Sequence, residues 1–328
     1  MSDEALLDVE NLGVRFEIKR GWGKKSYLYA VDDVSFRIKR GETLGIVGES
    51  GSGKTTAALA VARLTPAYHG TAKLDGDDIL AKEGEDLRQM RQKVQFIFQD
   101  PYSSLNPRKR AAAIVREPLD SLSDKSEEEK AKIVDDLFEA VGLRPEQQRL
   151  FPHQFSGGQR QRIGIARALA TQPELIICDE AVSALDVAVQ AQILNLLRRL
   201  QAQFGLTYLF ISHDLGVVQH MCDSIAVMYM GKVVEQADRV SLFNDPQHPY
   251  TQALLSAVPR VDKAARASQK RILIPGDPPD PLNPPKGCRF ASRCPAVMPL
   301  CHEREPEFTA SEPDHFVACH VANPASRD

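Results

Sequence analysis

The chain has no long apolar run. Nothing in its 328 residues approaches the roughly 20 consecutive apolar positions that a membrane-spanning helix needs. Any membrane role must therefore come through a partner. Charge imbalance is also lacking: the formal net charge is −3, with no basic patch, so nothing pulls the chain toward nucleic acid or anionic lipid. The opening MSDEALLDVENL is acidic and strand-like and does not resemble a signal peptide, which points to the cytosol. Disulfides are rare in that compartment, and clustered cysteines there more often bind metal. No internal repeat and no heptad run are present. What remains, 43% hydrophobic and 26% charged, suits a globular chain of about two domains.

Alternating LDVENLGVRFEI and AVDDVSFRI read as antiparallel strands, with KRGWGKKSYLY between them as an exposed loop. LGIV (44–47), VQFIF (94–98), LIIC (175–178), TYLFI (207–211) and SIAVMY (224–229) read as strands. Helical patterns such as TAALAVARL and VQAQILNLLRRLQAQFG separate several of them, which implies a mostly parallel sheet covered on both faces. DGDDILAKEGEDL is a weak acidic stretch, and residues 100–170 read as mostly helical. In SDKSEEEKAKIVDDLFEAVG, serines and acids precede an apolar stripe and Gly142 ends it. From residue 259 a stretch with seven prolines reads as an extended linker, and a cysteine-rich tail follows.

Two stretches carry chemistry. Gly48, Glu49, Ser50, Gly51, Ser52, Gly53, Lys54, Thr55 and Thr56 spell GESGSGKTT between a strand and a helix, which contains G-x-x-x-x-G-K-[ST]. Glycines let backbone N–H groups turn around phosphate oxygens, and the helix N-terminus adds positive potential. Lys54 would reach the terminal phosphates, and Thr55 would ligate Mg²⁺. A chance Gly/Ser-rich loop is the plain alternative, and the strand–loop–helix context argues against it. LIICDE then ends a buried strand with Asp179, placed to hold Mg²⁺, and Glu180, placed to act as general base on water.

At 155–162 the chain reads FSGGQRQR. With GESGSGKTT, Gln99, LIICDE, SALD (183–186) and His213 in ISHD, it resembles the ATP-binding subunit of ABC transporters over residues 6–258. The resemblance implies an ABC-type P-loop ATPase fold: an α/β core, an antiparallel β subdomain and a helical subdomain at about 100–170. It implies two such subunits stacked head to tail, with ATP and Mg²⁺ between the cradle of one and the SGGQ of the other. Ser156, Gly157, Gly158 and Gln159 would serve the partner's nucleotide. Asp186 would cross the interface, His213 would contact the γ-phosphate, and Gln99 would report Mg²⁺ and nucleotide state to the helical region. That region would receive two membrane permeases. An aromatic near the N-terminus would stack on adenine; Phe16 fits by counting, with Tyr27 and Tyr29 as rivals beyond the KRGWGKK insertion.

QDPYSSLNPR (99–108), SALDVAVQAQILNLL and HPYTQALLSAVP (248–259) narrow the resemblance to the ATPases of oligopeptide and dipeptide importers, and to the second (F-type) of their two unlike ATPases. This implies a peripheral protein on the cytoplasmic face of the inner membrane. Its partners would be a paralogous ATPase, two permeases and, indirectly, an extracellular solute-binding protein, with no nucleic acid. Relatives importing oligosaccharides or glutathione are the alternative, and a soluble ABC ATPase acting on ribosomes or DNA is a distant one. The domains would be a cassette at 1–258 and a C-terminal extension at 259–328.

Cys288, Cys294, Cys301 and Cys319 are spaced C-x₅-C-x₆-C-x₁₇-C, which matches neither paired zinc knuckles nor the bacterial ferredoxin run. Spacing leaves the metal open. The resemblance favours a [4Fe–4S] cluster, with zinc as the alternative, then disulfides or unliganded thiols. His302, His315 and His320 lie near enough in sequence to replace a ligand. A metal would supply folding free energy to a tail poor in core residues. Cys178 and Cys222 sit in apolar contexts and read as core.

Overall fold

The structure is a computed structural model, and it describes residues 5–20, 24–258 and 271–322. Strands β1 (Ala5–Arg20) and β2 (Lys24–Lys39) form one long antiparallel hairpin. Their alternation buries Leu7, Val9, Leu12 and Val14 opposite Val31, Val34, Phe36 and Ile38. The segment expected as an exposed loop is mostly strand: Arg15 pairs with Tyr29, Phe16 with Leu28 and Glu17 with Tyr27. Cross-strand contacts supply the reason. The Arg15 guanidinium lies 4.4 Å from the Tyr27 ring centroid, so a polar ribbon gains stacking in place of core burial.

Strand β3 (Thr43–Val47) starts the second sheet and runs into helix α1 (Lys54–Val61). Strands β4 (His69–Leu74) and β5 (Asp77–Asp78) return to the first sheet, giving the order β2-β1-β4-β5. The acidic stretch that follows holds α2 (Gly84–Lys93), which the sequence pattern does not announce. Met90 is its one buried side chain, so its periodicity is faint. β6 (Val94–Ile97) leads to α3 (Ala111–Leu122), α4 (Glu127–Ala140) and α5 (Gly157–Leu169). Ser126 caps α4 in a reciprocal box with Glu129. Ile114, Val115, Phe138 and Ile163 are fully buried among these helices.

β7 (Leu175–Asp179), α6 (Val187–Phe204), β8 (Thr207–Ser212), α7 (Leu215–Met221) and β9 (Ser224–Tyr229) complete the parallel part. Every residue of β3, β7 and β8 is buried, which explains their unbroken apolar runs. The parallel order is β9-β3-β8-β7-β6. The C-terminal ends of β3 and β7 meet near its middle, which is where such sheets bind ligands.

β10 (Lys232–Asp238) turns back antiparallel to β9, and α8 (Arg239–Asn244) and α9 (Pro249–Ser256) follow. Six of the linker's seven prolines, from Pro275 to Pro285, lie in irregular chain, and Pro259 lies outside the described residues. After a short helix, α10 (Leu300–Glu303), β11 (Thr309–Glu312) and β12 (His315–Val317) form a hairpin that pairs with β10. The tail thus extends the main sheet. Phe290 is buried, with its ring 5.3 Å from Tyr229 and 5.4 Å from Tyr250. Burying such a side chain contributes about 1.5–3 kcal/mol, so packing against the cassette supplies part of the folding free energy that a tail poor in core residues lacks.

Candidate active site

The loop from Gly48 to Gly53 has a shape that glycine makes possible. Gly53 has φ 102°, and a Cβ there would lie 2.2 Å from the Ala30 carbonyl oxygen. Ser52 is buried beneath the loop. Lys54 opens α1 and folds back: its Nζ donates to the carbonyls of Gly48 and Glu49, each at 2.9 Å. Burial pulls its ammonium below the ordinary value, against the charges of Glu180, Asp179 and Glu49. An anion in the cradle would supply compensating charge.

Thr55 Oγ1 donates to Asp179 Oδ1 at 2.9 Å. This joins the loop–helix junction to the end of β7, across 124 residues of sequence. Hydroxyl and carboxylate oxygens side by side are the hard donor set that Mg²⁺ takes, together with waters and phosphates. Burial raises the Asp179 pKa, the Thr55 bond opposes it, and Glu180 adds to it.

Glu180 has φ 47°, a left-handed conformation that costs a non-glycine residue on the order of 1–3 kcal/mol. Its N–H donates to the Ile211 carbonyl at 3.0 Å, which holds the turn. Both carboxylate oxygens are engaged. Gln99 Nε2 donates to Oε2 at 2.8 Å, and His213 Nδ1 lies 3.0 Å from Oε1. Gln99 arrives from the end of β6 and His213 from the end of β8, so Glu180 collects both flanking strands.

The other predicted residues lie elsewhere on the chain. Ser156 caps α5: its Oγ accepts from the Gln159 N–H at 3.3 Å, and the Gln159 side chain accepts from the Ser156 N–H at 3.0 Å. Gly157 and Gly158 form the first turn, and a Cβ on Gly158 would meet Val189 Cγ1 at 2.5 Å. Asp186 caps α6 by accepting from the Val189 N–H at 2.9 Å. Phe16 is 42% exposed, whereas Tyr27 stacks on Arg15 and Tyr29 packs edge-on to Tyr68.

Several contacts at the cradle had no signal in the sequence. The Glu49 N–H donates to Tyr250 Oη at 2.8 Å, which gives the HPYT segment a physical task. The Glu49 carboxylate meets Arg293 of the tail at 2.9 Å.

The expected four-cysteine metal module is where structure and expectation differ. Among the described residues, no group of three or more His, Cys, Asp or Glu side chains could hold a metal ion as arranged. None of the six cysteines is in a disulfide. Burial pushes the Cys288 thiol up to about 12 and raises those of Cys294 and Cys319; Cys301 adds to the rise at all three. The four are therefore electrostatic neighbours. His315 is turned away to Glu235 at 2.7 Å, and His320 Nε2 is 3.0 Å from the Arg304 carbonyl. Cys178 and Cys222 are buried, with thiols held far above the ordinary value by burial.

A phosphate cradle beside a carboxylate poised over the same strand ends is the working centre of a P-loop ATPase, and the SGGQ start of α5 places it in the ABC class. Residues 31–183 match the ABC transporter family, and residues 234–301 match the family described as oligopeptide/dipeptide transporter, C-terminal region. The oligopeptide transport ATP-binding protein AppF of Bacillus subtilis is 49% identical, over 98% of this chain and 98% of its own. The oligopeptide transport ATP-binding protein OppF of Haemophilus influenzae is 46% identical, over 96% of this chain and 97% of its own. A dimeric ATP-binding cassette solved in a post-hydrolysis state with ADP and Pi aligns at TM-score 0.63 and 30% identity, over 71% of this chain and 98% of that one. The chain belongs to the ABC ATPases of the oligopeptide-transporter family.

Proposed function

We propose that this chain is the ATP-hydrolysing subunit that powers import of oligopeptides or dipeptides through a membrane ABC transporter. The near full-length similarity to oligopeptide transport ATP-binding proteins carries this reading, because it spans the C-terminal region as well as the cassette. No described helix is long and apolar enough to cross a membrane, so membrane attachment would run through permease subunits.

The residues divide the work. Backbone N–H groups of 48–56 and Lys54 bind the phosphates. Thr55 and Asp179, with Gln99 nearby, would hold Mg²⁺, which would neutralise phosphate charge. Glu180 accepts a proton from water as the water oxygen bonds to the γ-phosphorus and the bond to the ADP oxygen breaks. His213 orients Glu180 and faces the γ-phosphate. Phe16 stacks on adenine, supported by its exposure beside a Tyr pair already engaged. Ser156, Gly157, Gly158 and Gln159 serve a nucleotide bound by a second, paralogous ATPase stacked head to tail, and Asp186 lies at that interface. The assembly sits on the cytoplasmic face of the inner membrane. A solute-binding protein outside delivers the cargo.

In this reading Cys288, Cys294, Cys301 and Cys319 would hold a [4Fe–4S] cluster, with zinc as the alternative. The donor chemistry supports it: four thiols, with Cys301 close enough to act electrostatically on each of the other three.

The test is affinity isolation of the Glu180→Gln variant from the native host in mild detergent with ATP. Two permeases, a second ATPase and a peptide-loaded binding protein are the expected result. Ribosomal or DNA-associated partners with no membrane protein would overturn it, and a sugar-loaded binding protein would shift the cargo class.

A further inference from the structure

Glu49, the second residue of the cradle, is gripped by a side chain 244 positions later. Arg293 Nη1 donates to Oε2 at 2.9 Å and Nη2 to Oε1 at 3.3 Å, the forked pairing that fixes both groups in orientation. Arg293 is 7% exposed, and its Nη1 also reaches Tyr229 Oη at 3.2 Å. A guanidinium buried this far costs free energy unless it is fully partnered, so its position depends on Glu49. Glu49 is tied in two further ways. Its N–H is held by Tyr250 Oη at 2.8 Å, and its carbonyl accepts from Lys54 Nζ at 2.9 Å. One residue thus links the tail, α9 and the lysine that meets phosphate.

Arg293 also belongs to the cysteine segment. It closes the turn Ala291–Arg293 immediately before Cys294. Backbone bonds tie that turn to the cysteines: Ala291 N–H to the Cys288 carbonyl at 3.0 Å, and Cys288 N–H to the Cys301 carbonyl at 2.8 Å. Nearby Arg289 grips a different region, bonding to Asp32 and to the Met230 carbonyl. It docks the same segment without touching the cradle.

We propose that Arg293 is a positioning residue for the nucleotide site, through which order in residues 287–301 and affinity for ATP are thermodynamically coupled. Coupling of this kind is reciprocal: a loosened segment weakens nucleotide binding, and bound nucleotide tightens the segment. The inference rests on residues 48–55 binding ATP, which the wild-type titration checks separately.

The experiment titrates the full chain with a fluorescent ATP analogue. The variants are Arg293→Gln, Arg293→Lys, Glu49→Gln, the Arg293→Gln/Glu49→Gln double, and Arg289→Gln. Arg293→Gln and Glu49→Gln are each expected to weaken binding about 5–20-fold, with the double no worse than either. Arg293→Lys restores part of the loss, and Arg289→Gln, which loosens the segment but leaves the Arg293–Glu49 pair in place, weakens binding less than Arg293→Gln. Wild-type affinity in Arg293→Gln, multiplying losses in the double, or an equal loss in Arg289→Gln would each overturn the proposal. If the variants do not fold, hydrogen exchange on the wild-type chain decides it. Bound MgATP should slow exchange at the amides of Cys288, Ala291 and Arg293, and unchanged exchange would overturn the coupling. Absence of any wild-type nucleotide binding would instead strike at the cradle itself.

Discussion

His213 Nδ1 stands 3.0 Å from Glu180 Oε1, so the carboxylate proposed as base is oriented by a side chain from the end of the neighbouring strand. In the proposed mechanism that contact gives His213 a task at the site. His213→Ala should lower steady-state ATP turnover about 100-fold, the scale of losing a preorganised polar contact at a reacting centre. ATP affinity should change little. Phosphate release assays and a nucleotide titration check the two together, and an equal loss in both would contradict the role.

The segments that build the candidate site are legible because each is short and local in sequence. GESGSGKTT and LIICDE each announce themselves locally, and the buried strands before them bring Thr55 and Asp179 within 2.9 Å. The positive φ of Glu180 and the grip of Arg293 on Glu49 were not legible. Both depend on tertiary context, and no local spacing encodes them. The segment Lys24–Tyr29 reads as loop in the sequence because its strand is held by stacked polar and aromatic side chains instead of a buried face. Among the cysteines, spacing marked a group of four but left their geometry open.

The junction between tail and cassette should depend on pH. Glu235 is fully buried; it accepts from the Gln247 and His248 N–H groups and pairs with His315. The hydrogen bond to Glu235 holds the His315 pKa above its ordinary 6.5. A base raised in the folded state contributes stability fully below its unfolded pKa, and that contribution is lost as pH rises through the folded value. His248 acts the other way: burial pushes it down to about 4, so its contribution falls as pH drops below 6.5. His315→Gln should therefore cost more thermal stability near about pH 6 than near about pH 8.5. Melting curves followed by circular dichroism read this, and equal losses at both would contradict the pair's role.

The cysteine reading makes a chemical prediction. Protein purified without oxygen should be brown and carry about four iron and four sulfide per chain. Chelation of that iron should lower the melting temperature of the tail before that of the cassette core, because Phe290 and β12 hold the segment only in part. Stoichiometric zinc in a colourless protein would replace the cluster with a single ion, and metal-free protein of full stability would remove the metal altogether.

The central claim is that Glu180 takes the proton from the water that cleaves ATP. Steady-state hydrolysis by Glu180→Gln, measured beside its ATP affinity, tests this most directly. The account predicts turnover reduced at least about 100-fold with binding intact, since the amide keeps the shape of the site and loses the base. Turnover near the wild-type rate in a variant that still binds ATP would contradict it.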